Sequence, residues 1–247
     1  MPVCFIKSFF RRLYYRALLI LYRGNRVHCP VCGTSLARFR NVNRQRSSPN
    51  GNVCPKCRSF ERQRLLWLFL RDNTGIFSTK CAKTLLHVAP EPCLRKKFEE
   101  MTLLRYIVAD LQSTDADEKI DITNMSLSDD SVDFIVCSHV LEHVPDDGKA
   151  MRELRRVLKP EGWAVINVPV DYAREQTHED ASITTPVQRK IHFGQADHVR
   201  VYGRDYPLRL AEAGFIVKEI DLARKLGREA VERHVLSTDE MIYFCTR

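Results

Sequence analysis

No stretch of the sequence reaches the ~18 consecutive uncharged apolar residues that a membrane-spanning helix needs, which excludes a helical span. With 10 Gly, 11 Pro and 9 Cys among 247 residues, collagen-like and short disulfide-scaffold architectures are excluded as well. No cleavable leader is expected. The apolar stretch Ala17–Tyr22 is shorter than a signal-peptide core, and no small-residue cleavage site follows it. Acidic residues are almost missing from the first 71 positions, where Glu61 stands alone against 15 Lys and Arg. The remainder holds more acids than bases, so a basic head sits on a mildly acidic body. That asymmetry points to a phosphate-rich partner or an anionic membrane surface, and carries no information about fold.

Composition is otherwise that of an ordinary globular chain, 44% apolar and 28% charged. Residues 4–23 have an amphipathic helical pattern. Lys7, Arg11, Arg12, Arg16 and Arg23 alternate with Phe5, Phe9, Phe10, Leu13, Leu18 and Leu21 at helical spacings. Such a helix suits a membrane surface, basic on one face and apolar on the other. A helix packed on its own domain, or an oligomer contact, would read the same way.

Two Cys-x-x-Cys pairs, Cys29/Cys32 and Cys54/Cys57, are separated by 21 mostly polar residues. Each pair can place two thiolates on one ion, and four thiolates complete a tetrahedral zinc shell. The segment between them cannot bury a core of its own, so a metal would hold it together. A filled shell makes such a zinc structural. Two disulfides or four free thiols are the alternatives. The other five cysteines (Cys4, Cys81, Cys93, Cys137 and Cys245) are scattered, which fits a reducing cytosol. After the second pair, residues 59–72 read as a helix with Ser59 as its N-cap.

From Lys83 onward strands and helices alternate. Strands are expected at Thr84–Ala89, Arg105–Asp110, Lys119–Ile122, Val132–Ser138, Trp163–Val170, Phe215–Leu222 and Met241–Cys245. Helices are expected at Pro92–Met101, Lys149–Leu158 and Asp205–Ala213, and residues 171–203 form a long polar insertion. This alternation predicts an α/β fold, a mostly parallel seven-stranded sheet with helices on both faces. Ligands of such sheets lie beyond the carboxyl ends of the strands.

The residues in this body resemble the class I S-adenosylmethionine-dependent methyltransferases, in particular their small-molecule group. Leu85-Leu86-His87-Val88-Ala89-Pro90-Glu91 occupies the place of the first strand and cofactor loop, and Asp110 ends the second strand. Asp121-Ile122 precedes Leu127–Asp133, which is similar to the stretch before that group's fourth strand. Ser138-His139-Val140-Leu141-Glu142-His143-Val144, followed by Leu158–Trp163, is similar to its post-strand motif and the turn into strand five. More narrowly, residues 26–247 look like a bacterial group that pairs a cysteine-rich head with this domain, and Gly194–Gly203 is similar to that group's tail motif.

The resemblance implies a Rossmann-like domain over 83–247 with the insertion 171–203. It is preceded by a basic helix at 1–25 and a small zinc-ribbon-like module with a linking helix at 26–73. It implies an S-adenosylmethionine-dependent methyltransferase. Asp110 would take the ribose hydroxyls, and Asp121 with the Ile122 N–H the adenine. Ser138 and His139 would lie under the methionine part. Asp110 and Asp121 could equally be strand-end or turn caps. One departure stands out: the usual glycine-rich turn is replaced by Ala89-Pro90-Glu91-Pro92, where two prolines remove N–H donors. The methionine amino group is then expected to meet Glu91 or the Ala89 carbonyl.

Methyl transfer asks the protein for in-line positioning and a group that removes the acceptor's proton. His198, His192 and Asp197 are the expected bases, the first two for their ordinary imidazole pKa. A cell-surface sugar or glycolipid is the favoured acceptor, met by an enzyme of the cytoplasm attached to the inner membrane face through residues 4–23. RNA is the second choice, through Arg38, Arg40, Arg44, Arg46, Arg58, Arg62 and Arg64. A zinc-stabilised binding protein on a methyltransferase scaffold, without catalysis, is the third.

Overall fold

The structure, a computed structural model, describes residues 14, 15, 17–42, 51–111 and 120–247. The predicted amphipathic helix over 4–23 lies mostly outside them; of its residues, 14, 15 and 17–21 are helical. Among the described residues no helix is long and apolar enough to cross a membrane. The chain forms two compact units. One holds the described residues up to Phe77 together with Leu222–Asp239, and the other Ser78–Asp221 with Glu240–Arg247. The division expected at 83–247 is therefore interrupted, because residues 222–239 return to the N-terminal unit.

In the N-terminal unit, β1 (Arg23–Cys29) and β2 (Thr34–Leu36) form an antiparallel hairpin. The first cysteine pair turns at its tip, where Gly33 takes φ +68°, a conformation that a residue without Cβ adopts at little cost. The second pair leads into α1 (Glu61–Asn73). Its apolar run Leu65–Leu70 is buried throughout. Phe60, not Ser59, is the N-cap, and its N–H donates to Gln63 Oε1 at 3.0 Å.

The second unit is built on β3 (Lys83–Val88), β4 (Leu104–Ala109), β5 (Val132–Ser138), β6 (Leu158–Asn167), β9 (Ile216–Ile220) and β10 (Ile242–Thr246). Their order in the sheet is β4-β3-β5-β6-β10-β9. The first four run parallel, and β10 lies antiparallel between β6 and β9. Short strands β7 (His178–Glu179) and β8 (Arg200–Val201) pair within the insertion. The sheet is flanked by α2 (Pro92–Glu99), α3 (Asp147–Val157) and α5 (Tyr206–Glu212), while α4 (Pro186–Phe193) belongs to the insertion. A last helical segment, α6 (Leu222–His234), is broken at Gly227 and belongs to the other unit.

The inner strands are apolar on both faces, as parallel strands covered by helices must be. In β3 the run Leu85-Leu86-His87-Val88 is wholly buried. In α3, Ala150, Met151, Leu154 and Val157 recur at helical spacing and face this core. The Asp146 carboxylate caps that helix by accepting from the Lys149 N–H at 2.8 Å. Among the described residues the central sheet has six strands where seven are expected. Residues 120–122 are not a strand: Asp121 Oδ1 accepts from the Thr123 N–H and hydroxyl, both at 2.8 Å, and turns the chain there. Residue 119 lies outside the described residues. Lys159–Gly162 bulges out of β6, since the register jumps from Val132–Leu158 to Phe134–Trp163.

Asp133 fastens the strand starts, at the end of the sheet away from the carboxyl edge. Its buried carboxylate accepts from Lys83 Nζ at 2.9 Å, the Thr84 N–H at 2.9 Å and Lys159 Nζ at 2.8 Å. Burial alone would raise its pKa, but hydrogen bonds from Lys159 and Lys83 hold it below the ordinary carboxylate range. A depressed folded pKa contributes stability above the unfolded value of about 4 and loses it as pH falls through the folded value. Asp133→Asn should therefore cost about 2 kcal/mol near neutral pH, as for other bonds to charged groups. The difference from the parent should shrink below pH 4, which urea unfolding at several pH values would read.

Candidate active site and cysteine cluster

Strands β3, β4 and β5 end at one edge of the sheet, and a cleft of about 680 Å³ opens there. This is the range of a pocket for a ligand of nucleoside size or larger. Ala89 at the end of β3 and Asp110 just past β4 line it. So do Asp121 and Ile122 from the turn before β5, and His139 just past that strand. Asp197 comes from the insertion and closes the same cleft. Six of the predicted residues thus meet in one place, though the segments that carry them are far apart in the chain.

The glycine-poor loop keeps the backbone conformation that glycine would supply. Ala89 has φ +45° and His139 has φ +58°. Each stands at a strand end where the chain leaves the sheet abruptly. The Ala89 N–H donates to the Ala109 carbonyl at 2.8 Å, and the His139 N–H to the Asn167 carbonyl at 2.8 Å. These bonds continue the ladder for one residue and hold the strained turn. A left-handed non-glycine residue costs roughly 1–2 kcal/mol.

Other expected residues lie elsewhere. Glu91 does not line the cleft: its carboxylate meets His87 Nε2 at 3.2 Å, while His87 Nδ1 meets the Tyr106 hydroxyl at 2.9 Å. The buried His87 ring needs partners on both nitrogens, and Glu91 supplies one. Ser138 is buried in the sheet opposite Asn167 and is likewise not part of the lining. His192 is exposed on α4 beside His178 and Phe193, outside the cleft. His198 is buried behind the cleft wall, its ring 4.7 Å from that of His143 and edge-on to it. Burial lowers its pKa, against the opposing influence of Glu142. Of the three expected bases, Asp197 alone faces the cleft.

His143 and Glu240 gave no functional signal in the sequence. His143 reads as a structural residue of a helix-leading turn, yet it lines the cleft with Nδ1 at 3.4 Å from Asp197 Oδ2. Glu240 comes from the far end of the chain to His139 Nε2 at 2.8 Å. Glu142 Oε1 stands 3.4 Å from the other ring nitrogen, so two carboxylates flank His139.

The cleft wall formed by residues 141–145 rests on Arg200. This buried guanidinium donates to the carbonyls of Leu141 at 2.8 Å, Val144 at 2.5 Å and Pro145 at 2.8 Å, and to Glu179 Oε2 at 2.8 Å. Asp147, also buried, accepts from Tyr202 at 2.7 Å and Arg209 at 2.8 Å. The insertion is therefore tied to the wall by paired buried charges rather than draped over it.

In the N-terminal unit the four sulfurs of Cys29, Cys32, Cys54 and Cys57 lie within 4.8 Å of one another. Cys29–Cys57 and Cys32–Cys54 are 3.5 and 3.7 Å apart, with all four thiols free. Sulfurs of a tetrahedral zinc shell, each about 2.3 Å from the ion, stand about 3.8 Å apart. The cluster therefore has the dimensions that such an ion needs. Without a cation the thiols conflict. Hydrogen bonds from Cys29, Cys54 and Cys57 hold Cys32 far below the ordinary thiol range, while Cys29, Cys32 and Cys54 push Cys57 far above it. A cation removes the conflict by stabilising all four as thiolates. Ser59, expected as a helix cap, instead places its hydroxyl 3.4 Å from Cys29 Sγ and 3.2 Å from Cys57 Sγ.

The comparisons with known proteins now bear on the second unit. Residues 92–166 match the methyltransferase domain family. That stretch runs from α2 through most of β6 and includes Asp110, Asp121 and His139. No curated protein matches the sequence. Among solved structures, one similar chain belongs to the complex of the Haloferax volcanii Trm112 methyltransferase activator with a methyltransferase. It is 15% identical with a TM-score of 0.47, over 74% of this chain and 93% of that one. The Haemonchus contortus phosphoethanolamine N-methyltransferase 2, solved with S-adenosyl-L-methionine, is 14% identical with a TM-score of 0.47, over 74% of this chain and 52% of that one. An Archaeoglobus fulgidus S-adenosylmethionine-dependent methyltransferase is 15% identical with a TM-score of 0.46, over 74% and 94%.

Replacing Ala89 by glycine should relieve the left-handed strain and raise stability by about 1 kcal/mol. Thermal unfolding of the Ala89→Gly variant would show a higher midpoint than the parent. An unchanged or lower midpoint would mean that the loop is not held in this conformation in solution.

Proposed function

We propose that the chain is an S-adenosylmethionine-dependent methyltransferase whose N-terminal unit is held by a structural zinc ion. The observation that carries the reading is the cleft at the carboxyl edge of the parallel strands, with Asp110 and Asp121 on its wall, inside the stretch that matches the methyltransferase domain family. When bound, the cofactor supplies a methyl group on a sulfonium that already contains its leaving group.

The chain's own residues bind and orient. Asp110, half-buried at the tip of β4, offers its carboxylate to a ribose diol. Asp121 and the Ile122 N–H take the adenine edge. Asp121 serves this while one of its oxygens caps the Thr123 turn, so the two readings of that residue are compatible. His139, fixed between Glu142 and Glu240, stands at the methionine end. With Glu91 turned to His87, the Ala89 carbonyl remains for the amino group. Asp197, with His143 Nδ1 3.4 Å from its carboxylate, is the group at the cleft that takes the acceptor's proton.

A sugar or glycolipid of the cell surface is the acceptor we favour, reached from the cytoplasmic side with residues 4–23 on the membrane surface. Ile20 and Leu21, near the end of that segment, are 77% and 74% exposed, which suits an apolar face laid on lipid. The RNA reading loses one of its cations. Arg64 is wholly buried, its guanidinium donating to the carbonyls of Ser59 at 2.6 Å, His234 at 2.8 Å and Val235 at 2.5 Å, so it cannot meet a phosphate. Arg44 and Arg46 lie outside the described residues.

Calorimetric titration with S-adenosylmethionine and its demethylated product should show one site per chain. Asp110→Ala should weaken it by at least about tenfold, the loss of roughly 1.4 kcal/mol expected for bonds to a charged group. No heat at high micromolar ligand would favour the binding-protein reading. Purified protein should also hold at least one zinc per chain, at the four cysteines. Chelation, or Cys54→Ser, should unfold the N-terminal unit, read as loss of protection in hydrogen exchange over β1 and α1.

A further inference from the structure

Behind the cleft wall, Glu142, His143 and His198 each bring one ligand atom within 4.8 Å of the other two. Glu142 is 1% exposed and His198 6%. Glu142 Oε2 is buried and has no hydrogen-bond partner among the described residues. An ionised carboxylate in that position is costly unless a cation compensates it. Its other oxygen faces His139 at 3.4 Å, a long contact that leaves Oε2 bare. The His143 imidazole is arranged as metal-binding imidazoles usually are, with one nitrogen oriented by a second group: its Nδ1 stands 3.4 Å from Asp197 Oδ2. The His198 ring is buried against it, edge-on at 4.7 Å between ring centroids, so the two imidazoles and the Glu142 carboxylate converge on one point.

We propose that Glu142, His143 and His198 form a second metal site, for a divalent first-row transition cation, at the wall of the cleft. Two imidazoles and one carboxylate suit manganese, iron, cobalt or zinc rather than calcium or magnesium, and three protein donors leave coordination positions unfilled. His143 lines the cleft, so those positions are within reach of an acceptor there. The acceptor class that fits is one with oxygen donors, such as a sugar hydroxyl or a diol, held by the cation beside Asp197. This role rests on the methyltransferase reading; the metal site itself does not. His198 then acts as a ligand, which accounts for its burial away from the cleft where a base would have to be.

The site can be tested on the full chain already loaded with zinc at its four cysteines. Manganese is the probe, because it is a poor partner for thiolates. Titration followed by electron paramagnetic resonance should show one bound Mn2+ per chain. Glu142→Gln and His198→Asn should each weaken it by at least about tenfold, while His198→Asn, which lies outside the cleft lining, retains its calorimetric response to S-adenosylmethionine. Absence of bound Mn2+ and of a second Co2+ in the parent protein would overturn the proposal without recourse to any variant. So would variants that bind Mn2+ as the parent does. Mn2+ bound by a parent that gives no heat with S-adenosylmethionine would uphold the site and sink the methyltransferase reading. The reverse result would sink the site alone.

Discussion

The cleft depends on a charge that never reaches solvent. Arg200 sits beneath the 141–145 segment and fills three of its carbonyls, so the wall opposite the strand tips cannot form without it. A buried guanidinium is tolerated only when its donors are matched and its charge is answered. Glu179 and Asp147 answer it, and Asp147 in turn fixes Tyr202 and Arg209. The insertion that supplies Asp197 and His198 is thereby locked to the turn that supplies Glu142 and His143. Two stretches of sequence that look like separate motifs are one piece of structure, and the electrostatic match between them is what makes the cleft a defined cavity.

The N-terminal unit solves a related problem with opposite sign. Four thiolates around the proposed divalent ion would leave an excess of negative charge. Arg64, wholly buried in α1 with its guanidinium 4.5 Å from the Phe39 ring centroid, is the cation that would compensate it. Burial lowers its pKa, while the charges of Cys29, Glu61, Cys54 and Cys57 favour its protonated form. The charged group stabilises a cluster that a core this small could not hold by apolar burial alone.

Much of this was legible in the sequence. The cysteine spacing needed no tertiary knowledge, because each pair is a local turn. The inner strands are continuous apolar runs bounded by turns, and Asp110 and His139 follow two of them directly. The rest depended on contacts between distant residues. Arginine is ordinarily exposed, so nothing in Glu61–Asp72 separates Arg64 from Arg62; the difference is made by carbonyls near His234. Glu240 meets His139 across 101 positions, and His143 meets His198 across 55, distances over which spacing has no meaning. The strand expected at Lys119–Ile122 failed for a local reason: a side chain that could cap a turn did so. Glu91 turns toward a buried histidine instead of the cleft for a tertiary reason.

The return of residues 222–239 to the N-terminal unit has a consequence for anyone who would cut the protein apart. The polypeptide passes from one unit to the other at three places, after Phe77, after Asp221 and after Asp239. Severing the first junction leaves the halves joined by the other two. A fragment begun at residue 83 would retain the carbonyls of His234 and Val235 without the arginine they serve, and its final strand would hang from a segment with no host. The two units are in this sense topologically interlaced, and neither can be inherited, expressed or exchanged as a contiguous cassette.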